Sequence, residues 1–474
     1  MNIEQIYTGC LAQGAYYISS NGEAAIIDPL REVQQYVDLA TGNEAKIKYI
    51  FETHFHADFV SGHMDLARLT GAPIVYGPTT METGFKAHIG KDGEEFKLGS
   101  CIIKLIHTPG HTMESRCYLL IDEHGNEKAL FTGDTLFIGD VGRPDLAQHV
   151  VAELTEEKLA SHLFDSLRNK IMPLPDDLII YPAHGAGSAC GKNMSDATTD
   201  TLGHQKKTNY ALRADLTREE FIKEVLTGLT APPSYFPKNV LMNIQGYEGI
   251  NEVMKRGQHK LTPEEFEIVA NETRALILDV RDPQIFAKGF VPNSINIGLN
   301  GNFAVWAGTL ITDIKQEILL VAHPGKEEEA ITRLARVGYD HTIGYLSGGF
   351  EAWKNAGKEV DSLPTISVEE LVKLKEKQPG LSILDVRKKS EYDSEHIINA
   401  VNAPLDYVNE SMTQVGKEKT TYVHCAGGYR SMIFASILKA RGYDNLVNVD
   451  GGFKAIKDSG KFKLTEFVEA KSML

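Results

Sequence analysis

Cysteine is scarce in this chain and is scattered along it. The 474 residues include five cysteines, an odd number, and no C-x-x-C pair occurs. They are Cys10, Cys101, Cys117, Cys190 and Cys425. Such a pattern provides no disulfide framework and favours a reducing compartment, so we expect a cytoplasmic protein.

Long apolar runs and an excess of positive charge are also lacking. No run approaches the roughly 20 apolar residues that span a bilayer. The first residues, MNIEQIYTGCLAQ, show no basic segment followed by an apolar one, so no signal peptide is expected. The formal net charge is −15, which opposes binding to a polyanion. We therefore expect neither a membrane nor a nucleic-acid partner.

The second half of the chain contains an internal repeat. LILDVR (276–281) is echoed by SILDVR (382–387), and LSGGFEAW (346–353) is echoed by VDGGFKAI (449–456). Each copy alternates helix patterns, with Thr262 and Ser367 as N-cap candidates, with short apolar strands. This alternation predicts two doubly wound α/β domains after a larger first unit. The expected domains are 1–255, 256–362 and 363–474.

Histidines and carboxylates recur at the ends of four predicted strands in the first domain. The segments KYIFETHFHAD, CIIKLIHTPGHT, ALFTGDTLF and LIIYPAHG contain His54, His56, Asp58, His111, Asp134 and His184. Loops at strand ends are where α/β scaffolds collect functional side chains. A lone histidine is more often a surface or hydrogen-bonded residue than a ligand. Because the same local context recurs four times, we interpret the set as a metal site.

These four motifs, in this order and spacing, resemble the metallo-β-lactamase fold over roughly residues 1–240. The resemblance implies an αββα sandwich with a metal site at one edge. Many members are binuclear zinc hydrolases, including the glyoxalase II type, and carry a histidine directly after the aspartate of the first motif. Phe59 stands at that place, and a phenyl ring cannot bind a metal, so a mononuclear site is the better interpretation. The alternative is that His63 compensates, although helical spacing after Ser61 turns it away.

The sequence is similar to the persulfide dioxygenase branch of this fold. That branch binds Fe(II) through two histidines and one carboxylate. By motif, its ligands correspond to His54, His111 and Asp134. The remaining motif residues would then orient the ligands or the substrate; they are His56, Asp58 and His184. The resemblance implies one Fe(II) per chain, with Zn as the alternative metal, and a low-molecular-weight thiol persulfide and O2 as substrates.

A glycine-rich loop in the last repeat, TYVHCAGGYRS, places Cys425 after an apolar strand and before a helix. Backbone N–H groups and the positive end of the helix converge at this point and favour an anionic, nucleophilic sulfur. Arg430 adds a cation at the end of the loop, and the same donors would hold a persulfide anion. The other residues of this substrate-binding loop are Ala426, Gly427, Gly428, Tyr429 and Ser431.

Together with DVR (385–387) and DGGF (450–453), the loop resembles a rhodanese domain over about 365–474. The C-x-x-x-x-R spacing also fits a phosphatase, but the DVR and GGF segments favour sulfur transfer. The middle repeat has HPGKEEE (323–329) instead, with His323 or a neighbour at the place of Cys425. Its loop looks about two residues shorter and is acidic. We expect a non-catalytic rhodanese-like domain there, with a spacer or docking role.

Cys190 lies in AHGAGSACGKNMSD, a Gly/Ser-rich loop shortly after His184. This loop could reach the metal pocket. Cys190 is therefore either a catalytic thiol, which accepts or relays persulfide sulfur beside the metal, or an incidental loop cysteine.

The whole chain resembles persulfide dioxygenase–sulfurtransferases of the CstB type. The resemblance implies that O2 oxidises the persulfide to sulfite and free thiol. Cys425 would transfer sulfur from a second persulfide to sulfite, which gives thiosulfate. Two alternatives stay open: a Zn-dependent thioester hydrolase of the glyoxalase II type fused to a sulfurtransferase, and a sulfur carrier or sensor. The family commonly forms oligomers, so a homo-oligomer is expected.

Overall fold

The computed structural model describes residues 1–146, 154–229, 231–378 and 380–468. It divides into two compact units, one of Met1–Ile250 with Ala335–Gly338, and one of Asn251–Leu334 with the described residues from Tyr339 onward. Within the described residues, no helix is long and apolar enough to cross a membrane.

The first unit is built on two six-stranded sheets. The first sheet contains β1 (Asn2–Thr8), β2 (Gln13–Ser20), β3 (Glu23–Ile27), β4 (Lys46–Phe51), β5 (Ile74–Tyr76) and β6 (His88–Ile89) in sequential order. The second contains β7 (Glu95–Leu98), β8 (Cys101–His107), β9 (Arg116–Ile121), β10 (Glu127–Gly133), β11 (Ile179–Pro182) and β12 (Asp200–Thr201), also in sequential order. A turn at Asn21–Gly22, both with positive φ, joins β2 to β3.

Helices cover the outer faces of both sheets. They are α1 (Gln34–Gly42), α2 (His63–Thr70), α3 (Glu156–Ser166), α4 (Leu202–Thr208), α5 (Arg218–Leu226) and α6 (Phe236–Gln245). The next helix, α7 (Ile250–Gly257), begins at the last residue of the Met1–Ile250 segment and otherwise belongs to the second unit. Leu163 and Phe221 from α3 and α5 join the core on the second sheet, while Tyr36 and Leu66 from α1 and α2 join the core on the first. A third core lies between the sheets, so the layers are α, β, β, α.

The strands β8 and β10 run in the same direction, because each pairs antiparallel with β9, and β11 is parallel to β10. Their carboxyl ends therefore share one edge of the second sheet. The loops that leave these three ends contain His111, Asp134 and His184. The loop after β4 of the first sheet contributes His54.

The second unit contains two five-stranded parallel sheets with the same strand order. The middle domain has β13 (Lys260–Leu261), β14 (Leu276–Asp279), β15 (Ile295–Asn296), β16 (Ile318–Val321) and β17 (Thr342–Leu346), ordered β13-β17-β16-β14-β15. Its helices are α8 (Pro263–Thr273), α9 (Pro283–Lys288), α10 (Phe303–Leu310), α11 (Glu327–Arg336) and α12 (Gly349–Asn355).

The last domain repeats this plan, with the strand order β18-β22-β21-β19-β20. Its strands are β18 (Thr365–Ile366), β19 (Ser382–Asp385), β20 (Val401–Asn402), β21 (Thr421–His424) and β22 (Leu446–Val449). Its helices are α13 (Val368–Lys377), α14 (Lys389–Ser394), α15 (Val408–Ser411), α16 (Tyr429–Ala440) and α17 (Gly452–Ser459). Thr262 and Ser367 cap α8 and α13 through complete capping boxes, as predicted from sequence.

Candidate functional site

His54, His111 and Asp134 lie together in the first unit, and all three are buried. Their ligand atoms lie within 4.8 Å of one another. The Oδ2 atom of Asp134 is 3.4 Å from His111 Nε2 and 3.8 Å from His54 Nε2. Among the described residues, this buried oxygen has no hydrogen-bond partner. Two imidazoles and an unsatisfied carboxylate oxygen that face one point fit a bound metal ion.

The protein orients His111 through a backbone carbonyl. Nδ1 of His111 is 2.8 Å from the carbonyl oxygen of Arg143, so Nδ1–H donates and Nε2 keeps its lone pair for a metal. The carboxylate of Asp145 binds the Arg143 side chain through two hydrogen bonds. Residue 142 must be glycine, since a Cβ there would lie 1.9 Å from the Asp134 carbonyl oxygen and 3.0 Å from His111 Nδ1.

The protonation states of this group suit metal binding. Burial lowers the pKa of His54 well below its ordinary value, so its imidazole is neutral. Burial alone would raise the pKa of Asp134, but the neighbouring histidines, His184 above all, hold it far below its ordinary value. A neutral imidazole and an ionised carboxylate are the forms that bind metals.

Asp58, His184 and Cys190 form a second buried group of possible ligands. His184 lies between two carboxylates, with Nε2 2.8 Å from Asp58 Oδ2 and Nδ1 2.8 Å from Asp134 Oδ1. Burial opposes protonation of His184, but the two carboxylates raise its pKa well above the ordinary value. Since Cys190 belongs to this group, the predicted loop does reach the metal pocket. The carbonyl oxygen of Cys190 accepts a hydrogen bond from the Arg143 N–H. Burial and both carboxylates raise the pKa of the Cys190 thiol, so it is protonated here.

His56 belongs to a third group, away from Asp134. Its Nε2 atom lies 3.0 Å from Asp28 Oδ1 and 3.4 Å from Glu52 Oε2. Burial opposes its charge, but these carboxylates raise the pKa of His56 to about 10. Phe59 is fully buried, and its ring packs on His56 with centroids 4.3 Å apart. His56 thus contacts the His54 ring but turns its Nε2 atom away from the Asp134 group.

His63, the alternative replacement for a ligand at Phe59, is also turned away. It lies at the start of α2, with Nδ1 3.6 Å from Glu52 Oε1 and its ring against Phe85 and Tyr247. Cys190, rather than His63, is therefore the additional donor beside Asp58.

Asn243 fixes the first loop and was missed by sequence reasoning. Its amide nitrogen donates to the carbonyl oxygens of His56 and Phe59, both at 2.8 Å, and its oxygen accepts from the Ser61 N–H. Asn243 lies on α6, far along the chain, in a helix with no recognisable motif. The Arg143 carbonyl was missed for a related reason, because a backbone acceptor leaves no mark in the residue pattern.

Cys425 lies in the last domain, between β21 and α16. It is buried, and the Gly428 N–H donates to its sulfur at 3.1 Å. Gly428 has φ +106°, a conformation that favours glycine. Ser431 donates to the Asn448 side chain and closes the loop from below, while Ala426 and Gly427 are exposed. The loop thus holds a sulfur atom under a backbone donor at the start of a helix.

The flanking motifs support this loop. Asp385 binds the Arg387 guanidinium, which lies 3.8 Å from the Phe453 ring centroid, and the Phe453 N–H donates to the Cys425 carbonyl oxygen. Arg430, predicted to hold a persulfide anion, forms a two-fold ion pair with Glu391. Its positive charge is therefore partly neutralised by that carboxylate.

The middle domain has the same arrangement of strands around its loop but no cysteine at the position of Cys425. Strand pairing aligns Asp279 with Val321 and Asp385 with His424, so Ala322 occupies the place of Cys425 and His323 follows it, exposed to solvent. Residues 322–326 connect β16 to α11, and residues 425–428 connect β21 to α16. The prediction of a shorter loop in the middle repeat is therefore wrong, because that loop has five residues and the loop of Cys425 has four.

Comparisons with known proteins agree with this architecture. The model of the metallo-beta-lactamase superfamily matches residues 8–184, and the model of the rhodanese-like domain matches residues 262–356 and 367–459. A crystal structure of a metallo-beta-lactamase from Staphylococcus aureus is 32% identical, covering 73% of this chain and 98% of that one, with a TM-score of 0.64. The chain belongs to the metallo-beta-lactamase superfamily. The predicted fold class, an αββα sandwich followed by two rhodanese-like α/β domains, is confirmed.

Other relatives of this superfamily member match its first domain. A probable hydroxyacylglutathione hydrolase from Schizosaccharomyces pombe is 31% identical over 166 residues, which are 34% of this chain and 59% of that protein. The chain spans about six tenths of the length of such curated relatives. A crystal structure of ETHE1 from Myxococcus xanthus is 26% identical and covers 52% of this chain and 99% of that one, with a TM-score of 0.43.

Proposed function

We propose that the first domain oxidises a low-molecular-weight thiol persulfide with O2, and that the last domain transfers sulfur to the sulfite produced. The observation that carries the proposal is the buried group of His54, His111 and Asp134, which has two imidazoles and one carboxylate around a point. This donor set suits non-haem Fe(II) with open positions. A rhodanese-like domain with a buried loop cysteine, on the same chain, supports sulfur as the shared element.

The first reaction balances as one persulfide, one O2 and one water giving one sulfite and one thiol. Iron bound by His54, His111 and Asp134 would supply the redox chemistry that joins O2 to the sulfane sulfur. The Arg143 carbonyl keeps His111 in the tautomer that leaves Nε2 as a ligand. His184 holds one oxygen of Asp134, so that the other oxygen faces the histidines.

The second reaction takes place at Cys425. Its thiolate attacks the sulfane sulfur of another persulfide, the S–S bond of that persulfide breaks, and the thiol leaves. Sulfite then attacks the outer sulfur on Cys425, releasing thiosulfate and restoring the thiolate. The Gly428 N–H, 3.1 Å from the sulfur, and the positive end of α16 stabilise negative charge throughout.

A second candidate is a zinc-dependent thioester hydrolase of the glyoxalase II type. The group of Asp58, His184 and Cys190 favours it, because this group offers donors for a second metal ion beside Asp134. The hydroxyacylglutathione hydrolase relatives of the first domain point the same way.

Metal analysis combined with oxygen uptake separates the two candidates. We expect about one iron per chain in anaerobically purified protein and O2 consumption with at least one of the persulfides of glutathione, coenzyme A and bacillithiol. Two firmly bound zinc ions, with thioester cleavage and no O2 uptake, would establish the hydrolase instead.

A further inference from the structure

Tyr429 follows directly after Gly428, the residue whose N–H donates to the Cys425 sulfur. Its side chain is largely buried. The hydroxyl donates to the carbonyl oxygen of Gly298 at 2.7 Å, and Gly298 belongs to the middle domain. Burial raises the pKa of Tyr429, so the hydroxyl stays protonated and available as a donor. The loop of one rhodanese-like domain is thus fastened to the other.

Gly301 makes room for the Tyr429 ring. A Cβ on Gly301 would lie 2.4, 2.6 and 2.8 Å from three carbons of that ring, closer than real Cβ atoms come. A Cβ on Gly298 would lie 3.5 Å from the same ring. Residues 298–301 therefore form a socket that accepts Tyr429 because Gly301 lacks a side chain, whereas a Cβ on Gly298 would lie at ordinary contact distance from the ring.

The socket is braced from within the middle domain. Arg333 on α11 donates to the Leu299 carbonyl oxygen at 2.8 Å, and Glu329 pairs with Arg333 one helical turn away. These contacts lie within the middle domain and do not involve Tyr429.

Two further hydrogen bonds join the middle domain to the last domain. Gln284 of the middle domain donates to Asp450 at 2.8 Å, and a Cβ on Gly428 would lie 3.8 Å from both side chains. The N–H of Asn296, in the edge strand β15, donates to Ser436 on α16 at 2.9 Å, and Ser436 is buried. The middle domain therefore contacts the last domain at Tyr429, at Asp450 and at Ser436 on the helix behind the loop.

We propose that the middle domain is a working part of the sulfurtransferase site, in which its socket positions the Cys425 loop through Tyr429. This inference rests on the proposed sulfur transfer through Cys425. The Phe453 and Lys454 N–H groups bind the carbonyl oxygens of Cys425 and Ala426, while Ala426 and Gly427 are exposed, so the Tyr429 side chain adds an anchor at the far end of the loop. A hydrogen-bond donor stabilises the transferred sulfur effectively only when its position is fixed before the transfer begins. Tyr429 is accordingly a positioning residue.

The test compares four variants of the full-length protein. Tyr429→Phe removes the hydroxyl, and Gly301→Ala fills the socket. Tyr429→Ala, made alone and together with Gly301→Ala, removes the whole ring. We expect the first two to lower kcat for thiosulfate formation from persulfide and sulfite about tenfold, with KM within about twofold. Hydrogen exchange of the 425–430 amides should accelerate in both. Since Gly301 acts only through the tyrosine, Gly301→Ala should add little to Tyr429→Ala.

Matched controls are Tyr407→Phe, an exposed tyrosine, and Gly416→Ala, where an added Cβ meets nothing within 4 Å. Both should behave as wild type. Unchanged amide exchange in Tyr429→Phe and Gly301→Ala, or unchanged kcat although the loop exchanges faster, would overturn the inference. If wild type itself formed no thiosulfate, the proposed function would fail, while the exchange measurements would still decide whether the socket holds the loop.

Discussion

Asp134 serves two groups of side chains at once, which makes it the central residue of the first domain. One carboxylate oxygen faces His54 and His111, and the other accepts a hydrogen bond from His184. His184 in turn contacts Asp58. A change in either group therefore reaches the other through the Asp134 carboxylate.

Removal of one imidazole tests the metal group. In His111→Ala, we expect iron content to fall to background together with O2 uptake, because the change removes one of the three protein ligands of the proposed iron. Iron analysis and an oxygen electrode measure both quantities. His124→Ala, which changes an exposed histidine, is the control and should keep wild-type iron. Full iron in His111→Ala would show that this histidine is not a ligand.

Gly142 tests how closely the backbone packs beside the metal group. An added Cβ would lie 1.9 Å from the Asp134 carbonyl oxygen, so Gly142→Ala must displace one of the two segments. We expect the free energy of unfolding to fall by about 1–3 kcal/mol, as for other overpacked sites. Urea unfolding of Gly142→Ala is compared with that of Gly9→Ala, whose Cβ would meet nothing within 4 Å. Equal urea midpoints for the two variants would mean that the backbone segments around Gly142 move apart without loss of stability.

At the scale of elements, the two rhodanese-like sheets carry the same supports and differ in the connection after the central strand. Asp279–Arg281 and Asp385–Arg387 are both buried ion pairs, and each arginine lies against a phenylalanine ring. The scaffold is therefore common to both domains, and the position of Cys425, occupied by Ala322 in the middle domain, is where they differ.

We expect the loop at residues 322–326 of the middle domain to be catalytically inactive. We expect His323→Ala to keep thiosulfate formation within about twofold of wild type, since the exposed imidazole lies beyond the position of the nucleophile. We also expect Ala322→Cys, in a Cys425→Ser background, to restore no transfer, because the following segment is acidic and not glycine-rich. Steady-state assays measure both. A large loss in His323→Ala with normal folding would assign a catalytic or substrate-binding role to the middle domain.

The sequence reveals elements better than it reveals contacts between them. The strand-end motifs indicated the metal group because parallel strands bring their ends to one edge, and the capping boxes of α8 and α13 followed from local residues alone. The partners of His56 and His184 could not be predicted, because Asp28 and Asp134 come from distant strands. The Tyr429 socket was equally hidden, since a carbonyl oxygen and two glycines form it.

At the scale of the whole molecule, the proposed chemistries belong to different domains and should separate by mutation. In Cys425→Ser, we expect O2 uptake and sulfite formation to stay near wild type, while thiosulfate formation is lost, because a hydroxyl cannot carry sulfane sulfur. Oxygen consumption and chromatography of sulfite and thiosulfate measure the outcome. Loss of O2 uptake in this variant, or continued enzymatic thiosulfate formation, would contradict the proposed division.

The contact between β15 and α16 has a consequence for synthesis on the ribosome. Residues 295–296 and the socket emerge well before residues 429–440, which later cover them. At elongation rates of about 5–20 residues per second, the delay is on the order of ten seconds. During that interval the nascent middle domain exposes an edge amide and an unfilled cleft, both openings for wrong partners. A ribosome that pauses between the two repeats would therefore prolong the exposure of this surface on the nascent chain.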